Sequence, residues 1–427
     1  MVKYFQRYRR ARAGMISFFL LASLVASAAL LRAGATTAHA QPSVDASRQP
    51  PPQQQRPRRV GAPAGTAAPP AETNNGGAGG EEVGEDEVVR VDTQLVPVPV
   101  VVRDRAGRPL ANLRAENFLL YEDGRPQRVA NFATTDVPFE VALLLDTSGS
   151  TRAELGLVRR AANLFIDALR PGDRVSLVSF NTRDEGPSKL AAVEVQTPLT
   201  TDRAALRAAL DQIGASNGTP YYDAIERVVR EVFREPARGE MRGRRALVAL
   251  TDGVDSTSDA EFAEVRAEFL ASGSLSYFIQ VNTEEYVENR LMQDCQDDGR
   301  LSLSRVQLQR YRRIFNPRAD AADYSNFCEL GLFERMSISR ALYQLARQEM
   351  TDLARASGGK AFTALDLRDA RQAFAQIAAE IGRQYSLGYY STNKVRDGSF
   401  RKIRVELRGA GPGAQVSARE GYQAPRS

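Results

Sequence analysis

Histidine is almost absent from this sequence of 427 residues, whose single histidine is His39. It lies in an N-terminal segment with a basic start, a mostly apolar run over residues 15–31 and a small-x-small site at Ala38-His39-Ala40. These are the features of a cleaved export signal. Cleavage before Gln41 would remove the histidine. The remaining chain could not use a Ser-His-Asp or Cys-His mechanism, so hydrolases of these classes are excluded.

A long membrane-spanning run is also lacking. The apolar run has 17 residues, whereas a transmembrane helix needs about 20. We therefore favour a cleaved signal, and the alternative is an uncleaved single-span anchor. No cysteine follows the run closely, which argues against a lipid-anchored lipoprotein. The sequence predicts an exported protein that is periplasmic, in the cell envelope or secreted. It has no membrane span after signal cleavage and is membrane-anchored if the signal is uncleaved.

The excess of positive charge disappears with the signal. Six basic residues and no acidic residue lie in residues 1–40, so the net charge falls from +5 to −1 on cleavage. A chain of this charge gives no support for nucleic-acid binding. The next segment, residues 41–87, is rich in Pro, Gln and Gly and ends in an acidic run. Such composition buries too little apolar area to fold, which predicts a disordered low-complexity linker.

The most informative stretch joins an apolar run to a polar turn. Val141 to Leu145 is continuously apolar, as in a strand buried on both faces of a parallel sheet. The turn Asp146-Thr147-Ser148-Gly149-Ser150 follows, at the strand end where such sheets bind ligands. Side chains at alternate positions of an extended turn face one side, and their oxygens suit Mg²⁺, Mn²⁺ or Ca²⁺. The same residues are also common in plain turns and helix caps.

Two later stretches favour a cation site over a plain turn or helix cap. Thr219 precedes a predicted helix, and Asp252 follows a second apolar strand, 246–250. Together the three stretches resemble the von Willebrand factor type A (VWA) domain with its metal-ion-dependent adhesion site (MIDAS). That family has Asp-x-Ser-x-Ser after the first strand, a Thr before a helix and an Asp after the fourth strand. The matching positions are Asp146, Ser148, Ser150, Thr219 and Asp252.

The resemblance implies a function for these residues. They would hold a divalent cation, Mg²⁺ in the first place and Mn²⁺ or Ca²⁺ as alternatives, and leave one position open. A protein partner would fill that position with an Asp or Glu. Asp223, four residues after Thr219, is interpreted as complementing the charge of a helix start rather than as a ligand.

The predicted fold class is α/β, a doubly wound, Rossmann-like, mostly parallel sheet flanked by small β elements. The predicted boundaries are a signal over 1–40, a linker over 41–87, a small β domain over 88–135, the VWA domain over 136–383 and a C-terminal β-strand segment over 384–424. Residues 282–339 interrupt the strand–helix rhythm and are rich in Arg, Asp and Gln. We interpret them as an insertion that follows a strand and so emerges beside the metal site.

The two flanks of this domain carry a further resemblance. Asp-x-x-Gly-x-Pro at 104–109, Tyr-Glu-Asp-Gly at 121–124 and Gln-Tyr-x-Leu-Gly-Tyr at 384–389 are similar to the VWA-related proteins abundant in acidobacteria. That family implies export and no known enzymatic activity.

Local signals give several structural expectations. Asp123-Gly124 predicts a hairpin turn, and Gly358-Gly359 predicts the end of a helix over Arg340–Ala356. Pro97 and Pro99 predict an edge position or a break in the first strand, because proline cannot donate to a ladder.

The predicted function is adhesion or protein–protein interaction through the cation, without enzymatic activity. One alternative is a metal-dependent hydrolase or phosphoryl-transfer enzyme, which would lack a histidine and an evident second metal cluster. The other alternative is a purely structural envelope protein.

The two cysteines, Cys295 and Cys328, should form a disulfide, because export places them in an oxidising compartment and both lie in the insertion. The chain-entropy model assigns a loop of this length about 3–4 kcal/mol. Mass spectrometry of unreduced peptides should identify the linked pair. Two thiols that alkylate freely in protein exported under oxidising conditions would contradict the pairing.

Overall fold

A six-stranded sheet forms the centre of the computed structural model. The structure describes residues 95–134, 137–149, 155–185, 188–235, 244–292 and 303–426. In chain order the strands of the central sheet are β5 (Glu140–Leu145), β6 (Arg174–Glu185), β7 (Ser188–Thr200), β8 (Arg245–Thr251), β9 (Leu275–Val281) and β10 (Lys360–Ala364). Their spatial order is β10-β9-β8-β5-β6-β7, and every neighbouring pair is parallel except β6 and β7. The predicted mostly parallel sheet is confirmed.

Helices cover both faces of this sheet. They are α1 (Leu155–Ala168), α2 (Arg203–Gln212), α3 (Tyr221–Arg227), α4 (Phe262–Ala271), α5 (Glu284–Leu291), α6 (Arg305–Phe315), α7 (Leu332–Ser357) and α8 (Leu367–Ile381). A π-helical turn, Val228–Val232, continues α3. Leu143 of β5 packs in one apolar cluster with α1, α2 and α8, and Leu144 packs in another with α3, α4 and α7. Burial on both faces is why the sequence of β5 is continuously apolar.

The strands on the two flanks join each other. Those before the central sheet are β1 (Leu95–Arg103), β2 (Phe118–Glu122), β3 (Arg125–Gln127) and β4 (Val129–Ala133). Those after it are β11 (Tyr385–Tyr390), β12 (Phe400–Leu407), β13 (Gln415–Ala418) and β14 (Gly421–Gln423). They form two four-stranded sheets, β13-β1-β11-β4 and β14-β12-β2-β3. A shared apolar cluster lies between these sheets, which makes one sandwich from both flanks.

The two prolines of β1 lie in the half of the strand that has one neighbour. Residues 95–100 pair with β11, whereas β13 pairs only with Val100 to Arg103. The Pro97 carbonyl accepts a hydrogen bond from the Arg419 side chain rather than from β11. Residues two apart in a strand direct their backbone groups to the same side, so Pro97 and Pro99 both turn their nitrogens away from β11. The strand is not broken. Of the two alternatives that the prolines predicted, the edge position is correct, but only for the half of β1 that contains them.

The insertion over residues 282–339 has a small core of its own. It contains α5, α6, two 3₁₀ turns (Ala322–Tyr324 and Phe327–Glu329) and the first turns of α7. Leu291, Leu308 and Phe327 belong to its buried apolar cluster, together with Leu342 of α7. Helix α7 begins at Leu332 rather than at the expected Arg340, because its first turns pack in this cluster.

The described residues all lie in one compact unit. The predicted signal, the predicted linker, Ser150 and Cys295 lie outside the described residues. Within the described part of the chain, no helix is both long enough and apolar enough to cross a membrane.

The glycine pair after α7 ends the helix as expected. Gly358 adopts a left-handed conformation with φ of 93°, and the Gly359 N–H donates to the Ala354 carbonyl over 2.9 Å. The backbone at Gly359 lies directly against the backbone of β9. A Cβ at this position would lie 1.9 Å from the Ser276 carbonyl oxygen, a backbone atom that cannot move aside alone.

Gly359→Ala should therefore lower the free energy of unfolding by about 3 kcal/mol or more, because β9 must shift to admit the methyl group. Gly156→Ala in the exposed first turn of α1 is the matched control. Its Cβ would meet only an arginine side-chain nitrogen at 3.7 Å, and helix propensity favours alanine. Urea unfolding of both variants measures the difference, and equal stability of the two would contradict the close approach.

Candidate metal centre

The loop after β5 holds a buried carboxylate at the carboxyl edge of the sheet. The Asp146 backbone N–H donates to the Leu250 carbonyl over 2.9 Å and so continues the pairing with β8. Its side chain is buried: Oδ1 accepts the Ser148 N–H at 2.9 Å, and Oδ2 accepts the Thr251 hydroxyl at 2.6 Å. These bonds fix both the carboxylate and the turn that follows it.

Successive side chains of this turn point to opposite sides. The Thr147 hydroxyl donates to the Phe180 carbonyl of β6 over 2.7 Å, whereas Ser148 faces a cavity at the sheet edge. This supports the alternation inferred for Asp146 and Ser148. Ser150 lies outside the described residues, so its place in the alternation stays a prediction.

The loop before α3 carries Thr219. Its backbone is held at both ends by Ser256: the Thr219 N–H donates to the Ser256 hydroxyl at 2.8 Å, and its carbonyl accepts the Ser256 N–H at 3.0 Å. Gly218 permits this close approach, because a Cβ there would lie 2.7 Å from the methyl group of Thr257. Ser256, in the loop between β8 and α4, thus fixes the position of Thr219, which lies in the loop before α3.

The third loop follows β8 and carries Asp252. Gly253 turns the chain with φ of 74°, and its N–H donates to the Thr251 hydroxyl at 2.9 Å. Asp252 Oδ1 accepts the Val254 N–H at 3.0 Å, and Oδ2 accepts the Thr283 hydroxyl at 2.5 Å. Because Thr283 gives its proton to the carboxylate, the hydroxyl of Tyr343, 2.7 Å away, is the donor to Thr283.

The three loops meet at one cavity of about 300 Å³. Ser148, Thr219 and Asp252 all line it, whereas Asp146 lies buried behind Ser148. The structure therefore brings together three of the five predicted site residues at the cavity and puts a fourth next to them.

Sequence reasoning missed the hydroxyls that hold the two carboxylates. Thr251 had a local signal, since it precedes Asp252 at the end of a strand. Thr283 and Tyr343 had none. Thr283 reaches Asp252 from the start of the insertion, 31 residues along the chain, and Tyr343 of α7 donates to Thr283.

The donor set fits a hard divalent cation. It consists of hydroxyl and carboxylate oxygens, and the described residues contain no group of three or more His, Cys, Asp or Glu that could hold a metal instead. Burial raises the pKa of Asp146, and hydrogen bonds from Ser148 and Thr251 act in the opposite direction. A cation beside this carboxylate would favour its charged form.

Residues 141–254 match the family model described as the von Willebrand factor type A domain. The chain contains a VWA domain. Domains of this family bind a divalent metal at the MIDAS and are generally interaction modules rather than enzymes. The matched residues begin in β5 and end just after Asp252, so they span all three loops of the cavity.

Several solved structures are similar to this chain. BatB from Bacteroides thetaiotaomicron is 18% identical, with 57% of this chain and 98% of that chain covered and a TM-score of 0.34. A von Willebrand factor type A protein from Catenulispora acidiphila is 12% identical, with 79% and 75% covered and a TM-score of 0.35. Proximal thread matrix protein 1 from the mussel byssus, with a zinc-occupied MIDAS motif, is 16% identical, with 36% and 40% covered and a TM-score of 0.29. These similarities carry no functional detail, and no curated protein gives a significant match.

The insertion packs directly onto the face of the VWA domain that carries the candidate metal site. The Ser304 hydroxyl, at the start of α6, donates to the Ser256 carbonyl over 2.6 Å. Arg310 of α6 pairs with Asp255 at 3.6 Å, and both side chains are at most 5% exposed. The Arg310 guanidinium also lies 4.3 Å from the ring centre of Tyr222 in α3. The insertion is therefore fixed by buried polar contacts rather than loosely attached.

Asp223 lies in the first turn of α3 and does not line the cavity. Its carboxylate accepts the N–H groups of Asp259 at 3.3 Å and Ala260 at 3.0 Å. Its place in the first turn of α3 agrees with the interpretation as a helix-start carboxylate. Its bonds to the loop before α4 were not predicted.

A partly buried carboxyl group joins α7 to α3. The Tyr222 hydroxyl donates to Glu349 Oε2 over 2.6 Å. Burial raises the pKa of Glu349 from its usual 4.5 to about 7, against the effects of the Tyr222 hydrogen bond and of Arg310. Burial likewise raises the pKa of Asp255 to about 6, and Arg310 opposes this shift.

Glu349→Gln should stabilise the protein at pH 8 and have little effect at pH 5. Between pH 4.5 and 7 the unfolded chain releases the Glu349 proton before the folded chain does, so the wild type loses stability as pH rises through this window. Glutamine keeps the Tyr222 hydrogen bond and cannot ionise. The gain at pH 8 should be about 2–3 kcal/mol, measured by chemical unfolding at both pH values.

Glu231→Gln, at an exposed position in the π-helical turn, is the control for loss of one carboxylate. A pH-dependent gain as large in this control as in Glu349→Gln would contradict the role of burial.

Proposed function

We propose that the VWA domain binds a divalent cation at its MIDAS residues and uses it to engage an acidic residue of a protein partner. Mg²⁺ is the proposed ion, with Mn²⁺ and Ca²⁺ as alternatives. The observation that carries the proposal is that Ser148, Thr219 and Asp252, from three separate loops, line one cavity at the carboxyl edge of the sheet.

The residues of the site have different roles. Ser148, Thr219 and Asp252 offer oxygens to the cavity, and Ser150 completes the proposed ligand set. Asp146 acts from behind Ser148, because its carboxylate is buried and does not line the cavity. It orients the turn and adds negative charge. A bound cation supplies positive charge that attracts a carboxylate, and a hydroxyl-rich ligand set neutralises little of it.

This arrangement favours binding over catalysis. Thr251 holds the carboxylate of Asp146, and Thr283, which is itself bonded to Tyr343, holds that of Asp252. These groups therefore orient ligands. The chain after residue 40 has no histidine to act as a base. The proposed activity is adhesion or protein–protein interaction outside the cytoplasm, in the periplasm, at the cell envelope or in secreted form. The predicted signal and linker would deliver and space the domain.

Thr219→Ala and Asp146→Asn should each weaken Mg²⁺ or Mn²⁺ binding by about tenfold or more, because one removes a hydroxyl ligand and the other removes the charge behind the site. Both substitutions keep the backbone hydrogen bonds of their loops. Isothermal titration calorimetry measures the affinity, and circular dichroism checks the fold.

Thr257→Ala is the matched control, since Thr257 is an exposed hydroxyl of the same cavity outside the proposed ligand set. The proposal fails if the three variants bind the ion as tightly as the wild type.

A further inference from the structure

The cavity at the metal site has a second wall that the VWA domain does not supply. The insertion contributes apolar side chains to it, among them Val287, Leu303, Leu308 and Phe327. The loops of the VWA domain contribute hydroxyls, a carboxylate and backbone. The cavity is thus divided, with oxygen donors on one side and an apolar surface on the other.

The start of α6 faces the same space. Ser304 caps this helix by accepting the Gln307 N–H at 3.1 Å, and Ser304, Arg305 and Gln307 all line the cavity. The amino-terminal end of a helix carries partial positive charge. Arg305 adds a full charge at an exposed position on the cavity. Both features favour a negatively charged ligand.

A buried hydroxyl points to a missing polar partner. Ser339 of α7 lines the cavity and is 1% exposed, and its Oγ has no hydrogen-bond partner in the structure. A buried polar atom without a partner is unfavourable by about 1–3 kcal/mol. A backbone or side-chain group of a ligand in the cavity would satisfy it.

The size of the cavity limits what can enter. At about 300 Å³ it lies at the lower end of the range for ligand pockets, roughly 300–1,000 Å³. A flat protein surface would not fill a concave site of this size. A narrow segment could, with one acidic side chain toward Ser148, Thr219 and Asp252 and an adjacent side chain against the insertion.

We propose that the insertion selects the ligand: the cavity takes an extended peptide segment in which the acidic residue is flanked by an apolar residue. This inference rests on the proposed function, since the acidic side chain meets the cation. Leu308 and Phe327 contact the apolar neighbour, Arg305 attracts the acidic segment, and Ser339 binds a polar group of the peptide.

Three blocked tripeptides test the proposal on the whole chain saturated with Mn²⁺: Leu-Asp-Leu, Gly-Asp-Gly and Leu-Asn-Leu. Isothermal titration calorimetry should give an affinity for Leu-Asp-Leu about tenfold above that for Gly-Asp-Gly, because leucine buries apolar area against the insertion. Leu-Asn-Leu should not bind measurably. Val287→Thr, which keeps the shape of a half-buried cavity residue, should reduce the preference for leucine.

Arg305→Glu should weaken Leu-Asp-Leu binding by about tenfold and leave Mn²⁺ affinity unchanged. Arg318→Glu makes the same charge change at an exposed residue of the insertion that does not line the cavity, and should leave both affinities unchanged. Ser339→Ala should lower peptide affinity without destabilising the fold.

The outcomes separate the two proposals. Absence of Mn²⁺ binding by the wild type would overturn the proposed function and this inference with it. Normal Mn²⁺ binding would overturn the inference alone if the two Asp peptides bound equally, if neither bound at millimolar concentration, or if Arg305→Glu and Arg318→Glu behaved alike.

Discussion

The burial of β5 on both faces is the constraint on which the rest of the structure depends. A strand packed between two apolar clusters cannot carry polar side chains along its length, so its polar groups are confined to its two ends. At one end Glu140 pairs with Arg174 and Arg245, each at 2.7 Å. At the other end Asp146 begins the candidate metal site. The same burial that forms the core thus concentrates the chemistry at the sheet edge.

Hydrogen bonds between loops then give the site its shape. Thr251 holds Asp146, Ser256 holds Thr219, and Thr283 holds Asp252. In each case the holding residue comes from a different segment of the chain from the residue that it holds: Thr251 ends β8, Ser256 lies between β8 and α4, and Thr283 follows β9. The cavity is therefore a property of the assembled sheet edge, and no single loop could keep its geometry alone.

Much of the fold could be predicted from the sequence because its signals are local. The apolar run of β5 and the stop at Gly358 each depend on a few adjacent residues. Asp146 and Asp252 could be placed at one edge because each follows a parallel strand, whereas Thr219 was assigned to the site through the resemblance to the VWA domain. Contacts between residues far apart in the sequence could not be predicted. No local pattern indicates that β1 pairs with β11, that Thr283 and Tyr343 form a chain of hydrogen bonds to Asp252, or that the insertion has its own core.

The sandwich built from both flanks has a consequence for the order in which the chain can fold. β1 pairs Leu95 with Tyr390, and β2 pairs Phe118 with Leu407. A ribosome releases β1 to β4 long before it releases β11 to β14, so the first strands to be synthesised must wait for the last. During that interval their edges are unpaired and prone to association with other chains. The central sheet, whose strands are all made in between, can fold first and bring the ends of β4 and β11 together.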